Sequence, residues 1–157
     1  MTGKEPPDQI VDTTYAEGEG GVEYLELLEC AEETGKCPFC LKNLPKGNRV
    51  LYAVRNWLAI QNRWPYKNAD AHLLLIPAEH LCDLSEVTVD DWEDIQGLIR
   101  IIKYTHPTLA IGGALAVRFG TSSGVTIRHL HFHLIAPQTN PETGKVYPGQ
   151  HVNFPIG

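Results

Sequence analysis

The chain changes its apolar period several times, and each change marks an element. Residues 22–34 carry helical spacing, with Leu25 and Leu28 expected to face inward and Gly35 closing the helix. Pro45-Lys-Gly-Asn48 reads as a turn into two short strands over 50–54 and 57–61, followed by a polar, proline-containing loop over 62–71. His72-Leu-Leu-Leu-Ile-Pro77 reads as a heavily apolar strand ended by its proline. One long helix stands out. Thr88-Val-Asp-Asp91 has the form of a capping box, Trp92, Ile95, Leu98, Ile99 and Ile102 recur at helical spacing, and the helix is expected to stop near His106-Pro107. Strands over 114–118 and 128–136 follow, separated by the small-residue loop Gly120-Thr-Ser-Ser-Gly124, and the tail from Pro137 is rich in proline and glycine. Strands joined by short links, with one dominant helix and a shorter N-terminal one, predict an α+β domain built on an antiparallel sheet of about five strands.

Composition narrows the picture. At 157 residues the chain is expected to form a single domain over 21–157, preceded by a polar, Pro- and Gly-containing segment over 1–20 that reads as a mobile arm or a surface strap. Lys and Arg number 13 against 19 Asp and Glu, a net charge of −6, and no basic stripe is present. DNA or RNA polymers are therefore poor partners, whereas a small anionic substrate needs only a positive pocket. No membrane-length segment or leader pattern is seen, and four cysteines without a secretory context fit a reduced, cytoplasmic setting.

The chemistry concentrates in His129-Leu-His131-Phe-His133-Leu. In a β-strand these histidines share one face while Leu130, Phe132 and Leu134 point into the core. At about 3.3 Å per residue the outer two lie roughly 13 Å apart, so one metal cannot hold all three, and at least one is left for nucleophilic or acid–base work. Cys37-Pro-Phe-Cys40 has zinc-knuckle spacing and follows a helix, the reverse of a thiol redox motif. Two further ligands are needed. His80 and one end of the histidine row are the natural donors, with His72 and Cys82 competing.

His-x-His-x-His followed by apolar residues, together with His72-Leu-Leu-Leu-Ile-Pro-Ala-Glu-His80, resembles the histidine triad family of nucleotide hydrolases and transferases. The resemblance implies an antiparallel sheet with a long helix, commonly a homodimer, with a small nucleotide lying across the triad. It places the nucleophile on His131, the middle histidine, which would cleave a nucleoside monophosphate from a phosphoanhydride or phosphoramidate through a nucleotidyl-histidine. His133 and His72 would orient it. Asn62-Arg-Trp-Pro65 is similar to a stretch of the fragile-histidine-triad branch, which makes Asn62 a ribose candidate. Members carrying C-x2-C, including zinc-bearing bacterial ones, imply zinc on Cys37, Cys40, His80 and His129. The chain departs from the family in two places. Val125-Thr126-Ile127 keeps a hydroxyl for phosphate but lacks the usual glutamine, and Arg118 replaces an asparagine, where it would bind an extra phosphate or lie on the sheet edge. The missing glutamine leaves a second reading open: a zinc-stabilised nucleotide-binding module with little turnover.

Overall fold

The computed structural model describes residues 10–13 and 21–157. Most of the segment read as a mobile arm therefore lies outside the described residues. The part described docks as a strap: Val11 is buried and bridges Ile127, Asp12 N–H donates to the Thr126 carbonyl, and Arg128 N–H donates to the Ile10 carbonyl.

Helix α1 spans Gly21–Thr34 and ends at Gly35, which adopts the left-handed φ of +64° that glycine favours. Its buried stripe is Tyr24, Leu28 and Ala31, and Leu25 stays 38% exposed, contrary to the expectation from sequence. Residues four and three apart share a helix face. Centred on Leu28, that face takes in Tyr24, which has partners at Thr126 and Trp64. Helix α2, Val89–Thr105, opens on the expected capping box, with Thr88 Oγ1 accepting from Asp91 N–H and the Asp91 carboxylate accepting from Thr88 N–H. It ends at His106, and Pro107 then starts a five-residue helix, α3 (Pro107–Ile111), absent from the sequence reading. Proline at a first helical position is pre-set for a new helix as well as fatal to the old one.

Five strands, β1 (Val50–Val54), β2 (Trp57–Gln61), β3 (Ala69–Pro77), β4 (Ala114–Val117) and β5 (Phe132–Pro137), form one antiparallel sheet in the order β1-β2-β3-β5-β4. The two faces have different tasks. Trp57, Ala59, Leu73, Leu75, Phe132 and Leu134 pack against Ile95, Leu98 and Ile102 of α2. On the opposite face Leu58, Ile60, Leu74 and Ile76 meet Tyr24, Leu28 and Ala31 of α1 together with Phe39 and Ile127. His72 and His133 belong to that second face, since each is one residue out of phase with the α2-facing set.

The sheet corrects one expectation that bears on the site. Strand β5 begins at Phe132, four residues later than the pattern predicts, so His129 and His131 precede the ladder. Leu130 N–H donates instead to the Leu81 carbonyl, at 2.6 Å, and the chain bends at His129. Once the backbone bonds turn to loop 81 and the N-terminal strap, the row of histidines fans out rather than running straight.

Candidate functional site

The fan divides the histidines between two centres. His129 is fully buried and turns toward the 37–40 turn, where its Nδ1 lies 3.5 Å from Cys37 Sγ and 3.7 Å from Cys40 Sγ; His80 Nδ1 lies 3.4 Å from Cys40 Sγ. Donor atoms of Cys37, Cys40, His80 and His129 all fall within 4.8 Å of one another. A tetrahedral ion with zinc-like bond lengths sets sulfur and nitrogen ligands about 3.6 Å apart, so the spacing suits such an ion. The outer contacts suit it as well. His129 Nε2–H donates to the Pro77 carbonyl at 2.9 Å, and His80 Nε2–H donates to Cys82 Sγ at 3.1 Å, which leaves Nδ1 of each ring bare toward the cysteines. Burial pushes the Cys37 thiol up to about 12, opposed by the N–H groups of Phe39 and Cys40, so a thiolate here needs a cation beside it. Burial also lowers His129 to about 3, which keeps its ring neutral and able to ligate. Of the competing donors, Cys82 supports His80 from behind, and His72 belongs to the other centre.

That centre is a chain of hydrogen bonds whose direction the donors dictate. Tyr66 N–H donates to His72 Nδ1 at 3.2 Å and cannot accept, so Nδ1 is the bare nitrogen; the Asn62 amide nitrogen lies 3.2 Å from both ring nitrogens and does not choose between them. The His72 proton then sits on Nε2 and is donated to His133 Nδ1 at 2.9 Å, which places the His133 proton on Nε2. Separately, His131 Nδ1–H donates to the His129 carbonyl at 2.6 Å, leaving Nε2 of His131 with its lone pair. Burial, with the nearby positive Arg118, lowers His131 to about 4. Burial and the His131 and Arg118 charges lower His72 to about 4, and burial holds His133 below the ordinary histidine range as well. All three rings are neutral at pH 7.

His131 and His133 line a cavity of about 450 Å³, a size suited to a mononucleotide. Its walls also include Asn62, Thr126 and Arg118, so the three residues singled out as nucleotide contacts converge on one space. Their present partners differ. Asn62 Oδ1 accepts from Trp64 N–H, as in a turn, while its amide leans on His72. The Thr126 hydroxyl is bonded to that of Tyr24. Arg118, read as the last residue of a strand, lies one residue beyond β4 and is 7% exposed. Among the described residues the walls carry Arg63, Lys67 and Arg118 and no carboxylate, an inversion of the chain's overall acidity.

Two residues escaped the sequence reading. Tyr66 fixes His72 through its backbone, stacks on His133 at 5.7 Å and 13°, and accepts from Arg118 through its hydroxyl. Phe154, from the tail, packs against His133, Tyr66 and Arg118. A lone tyrosine in a polar loop and a phenylalanine among prolines carry no signal in one sequence.

Fold and site together define a histidine triad protein. A family model described as "Scavenger mRNA decapping enzyme C-term binding" matches residues 36–147, well over half the chain, and the chain belongs to that histidine triad family. Two relatives, each named an uncharacterized HIT-like protein, come from Chlamydia muridarum (29% identical over 82 residues) and Chlamydia trachomatis (30% over 82). The alignments take in 51% of this chain and span 64% and 72% of those proteins, so the first is covered over less than two thirds of its length. Among solved structures, a HIT family hydrolase from Clostridium thermocellum aligns with a TM-score of 0.50 at 26% identity, over 65% of this chain and 88% of that one. A Zn-bound histidine triad family protein from Mycobacterium smegmatis aligns with a TM-score of 0.50 at 21% identity, over 73% and 82%.

Proposed function

We propose that the protein is a nucleotide hydrolase or nucleotidyl transferase that acts through His131 on a phosphoanhydride or phosphoramidate. One observation carries the reading: the His131 Nδ1–H bond to the His129 carbonyl, which leaves Nε2 bare on a ring lining the cationic cavity. A neutral imidazole needs no base to attack. The Nε2 lone pair forms a bond to the α-phosphorus, and the phosphorus–oxygen or phosphorus–nitrogen bond to the leaving group breaks. The departing group keeps that electron pair; an amine takes a proton from water. Water or another acceptor then attacks the same phosphorus, the nitrogen–phosphorus pair returns to Nε2, and the acceptor's proton goes to solvent. Asn62 is read as a ribose contact, Thr126 and Arg118 as phosphate contacts, and His72 and His133 as the groups that orient the site.

Zinc held by Cys37, Cys40, His80 and His129 is part of the reading. The Zn-bound relative in the same fold and the donor spacing support it. Four protein ligands leave no open position, so the ion would tie the 37–40 turn to the segment after β3 and the segment before β5 and take no part in the reaction. A homodimer is proposed as well. Strand β4 lies at the sheet edge and exposes Leu115.

A single comparison tests the activity. Release of AMP or GMP from dinucleoside polyphosphates and from adenosine phosphoramidate is measured for wild type and His131→Ala. Turnover is expected to fall by at least about a thousandfold in the variant, the scale seen when a covalent nucleophile is removed. Comparable rates in both proteins overturn the assignment. A second reading, a nucleotide-binding module with little turnover, is favoured by the Thr126 hydroxyl being held by Tyr24. Tight nucleotide binding without turnover in wild type would select it.

A further inference from the structure

We propose that Arg118 and His133 form a second anion subsite beside His131, which makes the preferred substrate one with a further phosphoryl group beyond the phosphorus under attack. The proposal rests on the nucleotidyl-transfer reading and narrows it to phosphoanhydrides.

Arg118 is buried, and among the described residues its charge is uncompensated. Among the described residues it forms no ion pair, and no Asp or Glu lines the cavity it faces. One Nη donates to the Gly124 carbonyl at 3.2 Å and the other to the Tyr66 hydroxyl at 3.3 Å, while Nε is buried without an acceptor. A buried guanidinium held by two neutral oxygens is a costly arrangement unless a ligand brings the missing negative charge. His133 Nε2 is the second orphan. The chain from Tyr66 through His72 puts a proton on it, and it too is buried without an acceptor. Two unsatisfied donors thus belong to residues, 7% and 4% exposed, that line one cavity.

Phe154 links them. Its ring lies 5.3 Å from the Arg118 guanidinium carbon and 5.1 Å from the His133 ring. An aromatic face attracts a cation but accepts no full hydrogen bond from either group. The polarity of the cavity gives the direction in which a substrate lies. The His131 ring contacts Phe39, 5.1 Å away and part of the apolar Ile60–Leu74–Ile127 layer, and His133, 4.9 Å away, whose ring shares Phe154 with the Arg118 guanidinium. A base on the apolar wall and its α-phosphorus at His131 put the next phosphoryl group at Arg118 and His133. When His131 bonds to the α-phosphorus, the bridging oxygen leaves with the electron pair of the broken bond. The departing phosphate needs no proton, because its charge is met by the guanidinium and the His133 N–H.

Binding of AMP, ADP, GMP, GDP and inorganic pyrophosphate is measured calorimetrically for wild type, Arg118→Gln and Arg118→Lys. Wild type is expected to favour the diphosphate over the monophosphate of the accepted base by about 10–100-fold, the range of one or two charge-assisted hydrogen bonds. Arg118→Gln should reduce that ratio to near one, with pyrophosphate binding lost. Because Arg118→Gln also weakens the bond to Gly124, Arg118→Lys serves if the first variant does not fold. It keeps the charge without the fork, and the ratio should fall by several-fold. Turnover of a dinucleoside tetraphosphate relative to adenosine phosphoramidate should drop in parallel. Equal wild-type affinity for mono- and diphosphate, or a ratio unchanged in a folded variant, overturns the subsite. Loss of all turnover with the diphosphate preference intact would instead strike the nucleotidyl-transfer reading and leave the subsite standing.

Discussion

A backbone N–H decides the tautomers of two histidines in this site. Tyr66 N–H donates to His72 Nδ1 and so holds that nitrogen unprotonated, and the consequence travels through His72 to His133. His72→Leu removes the donor to His133 Nδ1 and frees that ring to change tautomer, so kcat should fall about 10–100-fold, the size seen when an outer hydrogen-bond partner is lost. A kcat unchanged in the folded variant contradicts the relay. The same burial has a sign in pH. The unfolded chain protonates His72 near 6.5 and the folded protein only near 4, so between those values the unfolded state binds the extra proton. Stability is therefore full above about pH 6.5 and declines as pH falls toward about 4; the melting temperature should follow, with a shallower slope in His72→Leu. Alternation made the histidine row legible in the sequence, and C-x2-C exposed the cysteines. The relay was not legible, because its first donor is main chain and sequence does not say which amide a fold will aim at a ring.

At the scale of elements, what was legible followed the strength of local signals. Strands β1 and β2 and helix α2 match their patterns because alternation, turn residues and a capping box all agree there. Strand β5 does not, although 128–136 alternates well. Alternation reports which side chains are buried, not which backbone partners are present, and residues 128 and 130 bond to the strap and to loop 81. Strand β4 carries a further consequence. It is a short edge strand whose outward groups have no neighbour in the sheet, with Leu115 41% exposed. If this edge closes the proposed homodimer, Leu115→Lys should shift the solution mass from two chains to one. A wild-type mass of one chain removes the dimer from the reading.

The whole molecule is a sheet with one face committed to stability and the other divided between an apolar layer, a cysteine–histidine cluster and a cationic cavity. The cluster joins segments more than 90 positions apart, from Cys37 to His129. A metal there should act as a cross-link. Cys37→Ser is expected to lower zinc content and melting temperature together, and metal-free wild type should melt as the variant does. Equal melting temperatures with and without the ion exclude a structural role. Among the described residues, no helix is long and apolar enough to cross a membrane. One arrangement joins the two centres. The ring of His129 faces the cysteines while the carbonyl of the same residue accepts the hydrogen bond from His131 Nδ1–H. Whatever disturbs the grip on that ring also tilts the oxygen that aims the attacking imidazole. Damage at the cysteines, by oxidation or by an ill-fitting ion, would then be felt as a misdirected nucleophile before it was felt as an unfolded chain.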